Sequence, residues 1–399
     1  MNTEIYDTVV VGGGPAGATA AADLARRGHS VLLIERGFRI KPCGGAIPPA
    51  LIEEFEIPQH LLVARIRSAR MISPAGERVN MPIAESYVGM VDRETFDPWL
   101  RERAVAAGAD LVTGKFLALE YLEDDTVRVT YRDKDRGGEA RAALARSVIG
   151  ADGAKSRVAH QCIPGADKLK CVLAYHEIVQ SPEQAEEENF DPSRCDVWYQ
   201  GRLSPDFYAW VFPHGGQTSI GVGSAMKQFS APSSVAALRK DVGLSEAKTI
   251  RREGAPIPLK PLKYWDDGRK VLLAGDAAGV VAPASGEGIY YAMLAGRLAA
   301  ESVAEFLLSG DPAALRQARK RFMRLHGRVF WVLGLLQRFW YGSDKRREKF
   351  VSMCRDPDVQ YLTWQAYTSK KLVRARPMAH VRIFFKDLAQ LMGLGPNSA

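Results

Sequence analysis

The distribution of apolar and polar residues over the first 36 positions predicts a strand, a helix and a second strand. An apolar run from Thr8 to Val11 breaks into glycines and continues as an alanine-rich stretch. The chain turns at Gly28 and is apolar again from Val31 to Ile34. Short apolar runs bounded by glycine are typical of buried strands, so this segment is predicted to be a βαβ unit.

The pattern changes farther along the chain. Residues 61–90 and 170–260 are rich in short alternating or β-branched runs and are predicted to form antiparallel strands. Residues 92–113 and 287–308 have the pattern of helices, whereas the Pro- and Gly-rich segment 41–49 is predicted to lack regular structure. No internal repeat interrupts this order.

These elements predict an α/β fold in which a Rossmann-like dinucleotide-binding domain is interrupted by an antiparallel-sheet substrate domain. A helical segment follows at the C-terminal end. The dinucleotide-binding domain is assigned to residues 1–60, 92–169 and 262–310, the sheet domain to 61–91 and 170–261, and the helical segment to 311–399.

The C-terminal segment differs from the rest of the chain in charge. The whole chain carries 54 basic and 46 acidic residues, a formal net charge of +8. Residues 311–399 hold 18 basic and 6 acidic residues, net +12, which leaves residues 1–310 at −4. Positive charge confined to one segment points to an anionic surface as partner, and we expect no nucleic-acid partner.

Composition and cysteine spacing exclude several classes of protein. With 46% hydrophobic and 25% charged residues, the chain is typical of globular proteins. It has no run of eighteen apolar residues and no secretory signal pattern at the start, so we expect neither a spanning nor an exported protein. The cysteines and histidines lack ligand or pair spacing, so no metal site or disulfide framework is indicated, and a reducing cytoplasm is expected. The cysteines are Cys43, Cys162, Cys171, Cys195 and Cys354.

A glycine-rich fingerprint follows the first predicted strand and opens the first predicted helix. Gly12 would make the tight turn, Gly14 would let a pyrophosphate approach the backbone, and Gly17 would let the helix pack on the strand. Glu35 ends the second strand, 18 residues after Gly17, where it can accept hydrogen bonds from a ribose diol. The pattern predicts dinucleotide binding but leaves FAD and NAD open.

Two further segments place an aspartate directly after an apolar strand. Asp152 lies in the segment 148–157 and Asp276 in the segment 271–279, which is followed by Gly286, Glu287 and Gly288. Together with the fingerprint these segments resemble the flavoprotein hydroxylase superfamily. In that superfamily the dinucleotide fold binds FAD, and NAD(P)H binds only transiently. For Asp152 a turn-capping role is an equally good interpretation.

Three more motifs resemble the geranylgeranyl reductase family. They are the loop from Lys41 to Gly45, the segment from Met90 to Asp97, and Tyr208-x-Trp210-x-Phe212-Pro213 with Gly221-x-Gly223 after it. Within the family, the (bacterio)chlorophyll branch is resembled by the segments from Lys41 to Pro48, Met71 to Pro74 and Ser285 to Tyr290. The resemblance extends over nearly the whole chain. It implies an FAD-binding domain of hydroxylase type with cofactor contacts at Gly12, Gly14, Ala16, Gly17, Glu35, Gly44, Gly45, Ala46, Arg93, Leu117, Asp276, Gly288 and Ile289.

The resemblance also implies a prenyl pocket lined by Tyr208, Trp210, Phe212, Pro213, Gly221 and Gly223. A C20 isoprenoid needs a long apolar channel, and aromatic side chains at alternating strand positions share one sheet face. The glycines would leave room on a neighbouring strand. The residue pattern alone favours an aromatic core stripe of the sheet over a pocket.

The implied activity is an FAD-dependent reduction, with NADPH as the electron source, of three double bonds of a geranylgeranyl chain to phytyl. The substrate would be a geranylgeranylated pigment or geranylgeranyl diphosphate. An isolated alkene that accepts hydride also needs a proton at its other carbon, for which Cys43, Tyr208 and the surroundings of the flavin are the catalytic candidates. From its residue type alone, Cys43 is expected to be a small buried hydrophobe. The alternatives are a flavin monooxygenase or halogenase of the same superfamily and a non-catalytic flavin-containing carrier of a prenylated pigment.

One predicted helix near the C-terminal end is amphipathic and can cover the core or lie on a membrane. Because the implied substrate resides in membranes, we expect a cytoplasmic protein that associates peripherally with an anionic membrane surface. The apolar positions are Phe322, Leu325, Val329, Leu333, Leu336 and Trp340, and the arginines expected on the opposite face are Arg321, Arg324, Arg328 and Arg338.

Overall fold

The computed structural model describes residues 5–37, 40–84, 86–183 and 189–370. Residues 1–4 of the predicted dinucleotide-binding domain and residues 371–399 of the predicted C-terminal segment lie outside these ranges. The strands are β1 Ile5–Val11, β2 Val31–Glu35, β3 Ala46–Ile47, β4 Leu62–Ile66, β5 Ser68–Ile72, β6 Arg78–Pro82, β7 Val88–Val91, β8 Asp110–Tyr121, β9 Val127–Asp133, β10 Glu139–Gly150, β11 Cys171–Gln180, β12 Arg194–Trp198, β13 Ala209–His214, β14 Gln217–Ser224, β15 Thr249–Pro258 and β16 Val271–Leu273. The helices are α1 Pro15–Arg26, α2 Pro49–Glu54, α3 Arg93–Ala106, α4 Arg157–Cys162, α5 Ala231–Asp241, α6 Ile289–Ser309, α7 Arg316–Trp340, α8 Asp344–Met353 and α9 Pro357–Ser369.

The first sheet has a parallel core in the spatial order β8-β2-β1-β10-β16. This is the strand order of doubly wound nucleotide-binding folds, in which ligands bind beyond the carboxyl ends of the strands. The second half of β8, β9 and the first half of β10 extend it as an antiparallel meander. The core strands are continuous apolar runs whose side chains lie in the main hydrophobic core together with those of α1 and α6.

Helix α1 packs closely against α6. Pro15 stands at its first position, where a missing N–H costs nothing, and Gly28 (φ +85°) follows its C-terminal end. On α6, a side chain at Gly296 would lie 2.2 Å from the carbonyl oxygen of Ala16. The two helices therefore approach each other at the end of the glycine-rich segment.

The second sheet has seven strands in the order β15-β11-β14-β13-β12-β5-β6, and β3, β7 and β4 form a small third sheet. One face of the seven-stranded sheet packs against α5 through Val211, Ile220, Val222, Val235 and Leu238. The other face carries an aromatic cluster that includes residues of α7 and α8. The C-terminal helices therefore cover the face that bears the predicted prenyl pocket.

The fold class predicted from the sequence is confirmed, with local differences in the elements. The segment 41–49 includes the short strand β3 and the first residue of α2. The predicted helix 92–113 ends at Ala106, because Gly108 (φ +105°) turns the chain into β8, whose first residues pair with β2. Helix α5 lies inside the region predicted as strands. The domain boundaries remain predictions. Strand β3 was assigned to the dinucleotide-binding domain, but it pairs with β7, which in turn pairs with β4. The third sheet therefore combines residues from both predicted domains.

The orientation predicted for the amphipathic helix is wrong in part. Phe322 and Trp340 are buried as expected, but Leu325 and Leu336 are exposed. His326 and Phe330 take the inward positions because their rings pack on Tyr291 of α6, with centroid distances of 5.3 and 4.9 Å. Aromatic contacts with α6 therefore set the rotation of α7.

Arg321 also differs from the prediction. It does not lie on a free charged face but forms ion pairs of 3.1 Å with Glu301 and Glu305 of α6. Within the described part of the chain no helix is both long enough and apolar enough to cross a bilayer.

Candidate active site

The three fingerprint glycines have different structural roles. A side chain at Gly12, whose φ is +105°, would lie 2.4 Å from the carbonyl oxygen of Ala151, and one at Gly17 would lie 1.9 Å from the carbonyl oxygen of Gly12. At Gly14 a side chain would meet no described atom within 4 Å. Gly12 and Gly17 are therefore required by packing, whereas Gly14 keeps the space at the N-terminus of α1 open for a ligand. Free N–H groups at such a terminus bind phosphate.

Glu35 lies beside the fingerprint, as predicted. Its Oε2 accepts a hydrogen bond from Gly13 N at 2.7 Å, and its Oε1 accepts one from Gly37 N at 3.2 Å. A carboxylate can accept about four hydrogen bonds, so capacity remains for a ribose hydroxyl. The open space at Gly14 and this carboxylate together fit the dinucleotide part of FAD.

Two further loops meet the fingerprint. Lys41 donates a hydrogen bond to Asp276 Oδ2, which ties the loop from Lys41 to Ala46 to the carboxyl end of β16. A side chain at Gly275 would lie 2.7 Å from the Cβ of Ala16, and one at Gly288 would lie 3.9 Å from Asp276 Oδ1. Gly288 caps α6, and the buried Ile289 begins it. The structure thus brings together most of the residues that the family resemblance assigns to FAD.

Arg93 and Leu117 lie at the edges of this arrangement. Arg93 begins α3 and donates two hydrogen bonds to Asp97, at 2.6 and 2.7 Å. Burial alone would lower its pKa, but the Asp97 carboxylate and the neighbouring Cys43 outweigh burial and raise the pKa above its usual value. Leu117 lies in a β-bulge between Phe116 and Ala118, outside the three converging loops.

Asp152 is a turn cap. Its carboxylate accepts hydrogen bonds from Ser156 Oγ at 2.5 Å and from Arg157 N at 2.7 Å. Burial raises the pKa of this carboxyl although these hydrogen bonds oppose the change. Of the two interpretations left open for Asp152, the structure favours the structural one.

The predicted prenyl-pocket strand lies against the cofactor loops. Tyr208 Oη donates to the carbonyl oxygen of Ser285 at 2.6 Å, and the Phe212 ring is 3.2 Å from the position of a side chain at Gly44. Because side chains alternate along a strand, Trp210 shares this face, whereas Pro213 lies on the opposite face. Pro213 was assigned to the pocket, and this placement separates it from the other residues.

The glycines of the same motif do not leave empty room. A side chain at Gly221 would lie 2.2 Å from the ring of Trp210, and one at Gly223 would lie 2.6 Å from the ring of Phe207. The space that we expected for a lipid is occupied by these two rings. The glycines are needed because these rings lie closer to β14 than any side chain at 221 or 223 would allow.

The two catalytic candidates differ in their surroundings. Burial raises the pKa of Tyr208, and its only hydroxyl hydrogen is committed to the Ser285 carbonyl, so this bond must break before Tyr208 can protonate a substrate. Cys43 is half-buried and its Sγ accepts a hydrogen bond from Gly45 N at 3.4 Å. The thiol also lies beside Arg93.

Sequence reasoning missed several residues of a small cleft that Cys43 lines together with His176, His214 and Glu253. His214 bonds to the carbonyl oxygen of Gly44 at 3.1 Å. Burial lowers its pKa to about 4, although the Gly44 carbonyl opposes this. His214 continues the alternation 208, 210, 212, so the sequence held a signal for it. His176 and Glu253 are 77 positions apart and meet only through strand pairing.

The cleft does not add a metal centre. Among the residues that the structure describes, no group of histidine, cysteine, aspartate and glutamate side chains has the arrangement of a metal site.

The doubly wound sheet and its three converging loops define an FAD-binding oxidoreductase. Residues 6–195 match the pyridine nucleotide-disulphide oxidoreductase family. Among solved structures, a geranylgeranyl bacteriochlorophyll reductase-like protein from Thermoplasma acidophilum is similar, with a TM-score of 0.79 and 22% identity, over 94% of this chain and 99% of that one. A flavin-dependent brominase has a TM-score of 0.73 and 17% identity over 97% of this chain and 100% of its own. Similarity at this level of identity concerns the fold alone.

Curated relatives narrow the class. A geranylgeranyl diphosphate reductase of Rhodobacter capsulatus is 56% identical over 391 residues, which cover 98% of both chains. A geranylgeranyl diphosphate reductase of Synechocystis is 37% identical over 97% of this chain and 98% of its own. The chain belongs to the geranylgeranyl diphosphate reductase family, and the family membership expected from its motifs is confirmed.

Proposed function

We propose that this protein uses NADPH to reduce three double bonds of a geranylgeranyl group to a phytyl group, on (bacterio)chlorophyll or on the free diphosphate. The relatives' names support the prenyl group, since those proteins are geranylgeranyl diphosphate reductases. The observation that carries the proposal is the contact of the aromatic face of β13 with the cofactor loops, through Tyr208 and Phe212. A prenyl chain on this face would lie next to the bound cofactor.

Bound FAD would supply the hydride chemistry of the reaction. The chain's own residues would bind and orient it: the N-terminus of α1 at Gly14 for the phosphates, Glu35 for the ribose, and the loops joined by Lys41 and Asp276 around the remainder. An isolated alkene develops positive charge during such a reduction, so water must be excluded from the site.

Aromatic packing provides this exclusion. Tyr208 and Trp210 are 8% and 6% exposed, and Phe207 stacks on Tyr208 with a centroid distance of 4.3 Å. Tyr341, which follows α7, donates to the carbonyl oxygen of Ala284 at 2.9 Å and packs on Phe207. The C-terminal helices therefore close the aromatic face from the outside. Entry of a prenyl chain would displace some of these ring contacts.

We also propose that the outer face of α7 contacts an anionic membrane. Exposed basic and apolar residues recur there at spacings of four and three, which places them on one side of the helix. Trp331 is 69% exposed, and large exposed apolar side chains in a cluster mark interaction surfaces. This membrane face consists of Arg324, Arg328, Trp331, Leu335 and Arg338. It replaces the face predicted from the sequence, because Arg321 is paired with α6.

The decisive experiment is anaerobic incubation of the purified protein with NADPH and geranylgeranylated pigment or geranylgeranyl diphosphate. Mass analysis should show successive gains of two hydrogens, up to six. In a parallel aerobic incubation, oxygen consumption coupled to NADPH turnover, with no gain of hydrogen by the prenyl substrate in either incubation, would instead indicate a monooxygenase or halogenase. If NADPH does not reduce the bound flavin, the protein would be a carrier. Either result would overturn the proposal.

Replacing Trp210 by alanine tests the pocket. The change should lower the rate of prenyl reduction at least about ten-fold more than the rate of flavin reduction by NADPH, because Trp210 would touch lipid and not nicotinamide. Val211→Ala is the matched control, since Val211 is buried on the opposite face of the same strand. Equal loss of both rates in Trp210→Ala would show that the residue only supports the fold.

A further inference from the structure

A row of paired residues crosses four strands on the face that carries the aromatic motif. Glu253 of β15 pairs with His176 of β11, His176 pairs with Gly221 of β14, and Gly221 pairs with Trp210 of β13. Directly paired residues of an antiparallel sheet point to the same face. Because Gly221 has no side chain, the indole ring crosses β14 and comes within 6.3 Å of the His176 ring, between centroids.

Hydrogen bonds connect this row through Ser219. Trp210 Nε1 donates to Ser219 Oγ at 3.1 Å, Ser219 Oγ lies 2.8 Å from His176 Nδ1, and His176 Nε2 lies 3.0 Å from Glu253 Oε2. An indole N–H can only donate and an ionised carboxylate can only accept. With His176 neutral, the chain therefore runs in one direction: the Ser219 hydroxyl donates to Nδ1, and Nε2–H donates to Glu253.

At its Glu253 end, this hydrogen-bond chain is connected to the predicted dinucleotide-binding domain. Arg251 lies 3.1 Å from Glu253 Oε1 and also pairs with Asp92 and Glu94 at the start of α3, at 3.3 and 3.2 Å. The middle of this hydrogen-bond chain is buried, since Ser219 is fully buried and His176 is 3% exposed. A buried, fully connected hydrogen-bond chain holds its members in one orientation.

We propose that Ser219, His176 and Glu253 are positioning residues that fix the rotation of the Trp210 indole and thereby the register of the prenyl chain. This inference rests on the proposed function. A prenyl chain offers no polar group along its length, so the shape of the pocket wall, together with the attached head group, determines which double bond lies next to the cofactor. Three successive reductions require three registers, and an indole that can adopt more than one rotation would no longer define them.

The test compares Ser219→Ala with Thr218→Val. Ser219→Ala leaves the indole N–H without its acceptor, and we expect prenyl turnover to fall about ten-fold. Products that have gained only two or four hydrogens should accumulate, while reduction of the flavin by NADPH stays unchanged. Thr218 precedes Ser219 on β14, so its side chain lies on the opposite face of the sheet. Thr218→Val removes a buried hydroxyl there, which is hydrogen-bonded to Ser181 at 2.8 Å. This control should give the fully reduced product at the wild-type rate.

Two further measurements separate positioning from general packing. In a Trp210→Phe background, which lacks the indole N–H, adding Ser219→Ala should have little further effect on rate or products. The ¹H–¹⁵N resonance of the Trp210 indole, identified by its loss in Trp210→Phe, should shift in Ser219→Ala but not in Thr218→Val.

Each outcome decides between the two proposals. If the wild-type protein reduces no prenyl substrate, the proposed function is overturned. If the wild-type protein is active but Ser219→Ala gives the same products and rates, the positioning role is overturned. Equal losses in Ser219→Ala and Thr218→Val, or additive effects of Ser219→Ala and Trp210→Phe, would likewise overturn it.

Discussion

Replacing Gly14 by valine should remove FAD and leave the fold intact. The backbone at Gly14 has φ −78° and ψ −175°, which every residue adopts, and a side chain there would meet no atom within 4 Å in the described part of the chain. The new side chain would occupy the space in front of the α1 N-terminus, where the phosphates must approach. Hydrogen bonds to charged groups contribute about 1.5–3 kcal/mol each, so losing two weakens FAD binding roughly 10²- to 10⁴-fold.

The stability of this variant should change little. Gly14 is the N-cap of α1, and an apolar residue at an N-cap costs about 1 kcal/mol relative to glycine. At Gly17 the expectation is opposite, because even alanine would place a methyl group 1.9 Å from the carbonyl oxygen of Gly12. Gly17→Ala should therefore lose FAD together with the folded state.

The assay for these variants is the flavin absorbance per protein after purification, followed by titration with FAD and thermal unfolding of each apoprotein. Gly216→Val is the matched control, since Gly216 also has open space around it but lies in a hairpin turn away from the fingerprint. Stoichiometric FAD in Gly14→Val would refute the assignment of the phosphate site. Unfolding of Gly14→Val to the same extent as Gly17→Ala would refute the distinction between packing and binding glycines.

Two other predictions concern α7. Burial lowers the pKa of His326 to about 4, so between pH 6.5 and 4 the unfolded chain binds a proton that the folded chain does not, and stability falls as the pH falls. Between pH 7 and pH 5 the free energy of unfolding, measured with urea, should therefore fall by roughly 2 kcal/mol less in His326→Phe than in the wild type. The same pH dependence in both proteins would contradict this. For the membrane face, Arg324→Gln with Arg328→Gln should weaken flotation with anionic liposomes at low salt, by about 1 kcal/mol per arginine. Trp331→Ala with Leu335→Ala should weaken flotation at high salt as well, and unchanged flotation in both pairs would exclude this face.

The first βαβ unit and its dinucleotide fingerprint follow from the sequence. The βαβ unit from Ile5 to Glu35 is predictable because strand and helix periods, turn glycines and the fingerprint are all short-range signals. The alternation of aromatic residues from Tyr208 to Phe212 likewise predicts one shared face. The family of the chain is readable for the same reason, since its motifs are contiguous segments.

What only the tertiary structure decided depends on partners that are distant in the chain. The row from Glu253 to Trp210 exists because four strands pair in one register, which no local pattern encodes. The open space at Gly14 and the filled space at Gly221 look alike in sequence, and only neighbouring atoms distinguish them. The rotation of α7 was misjudged because the choice between similar apolar faces is made by the rings of α6, through packing energy and not through helical propensity.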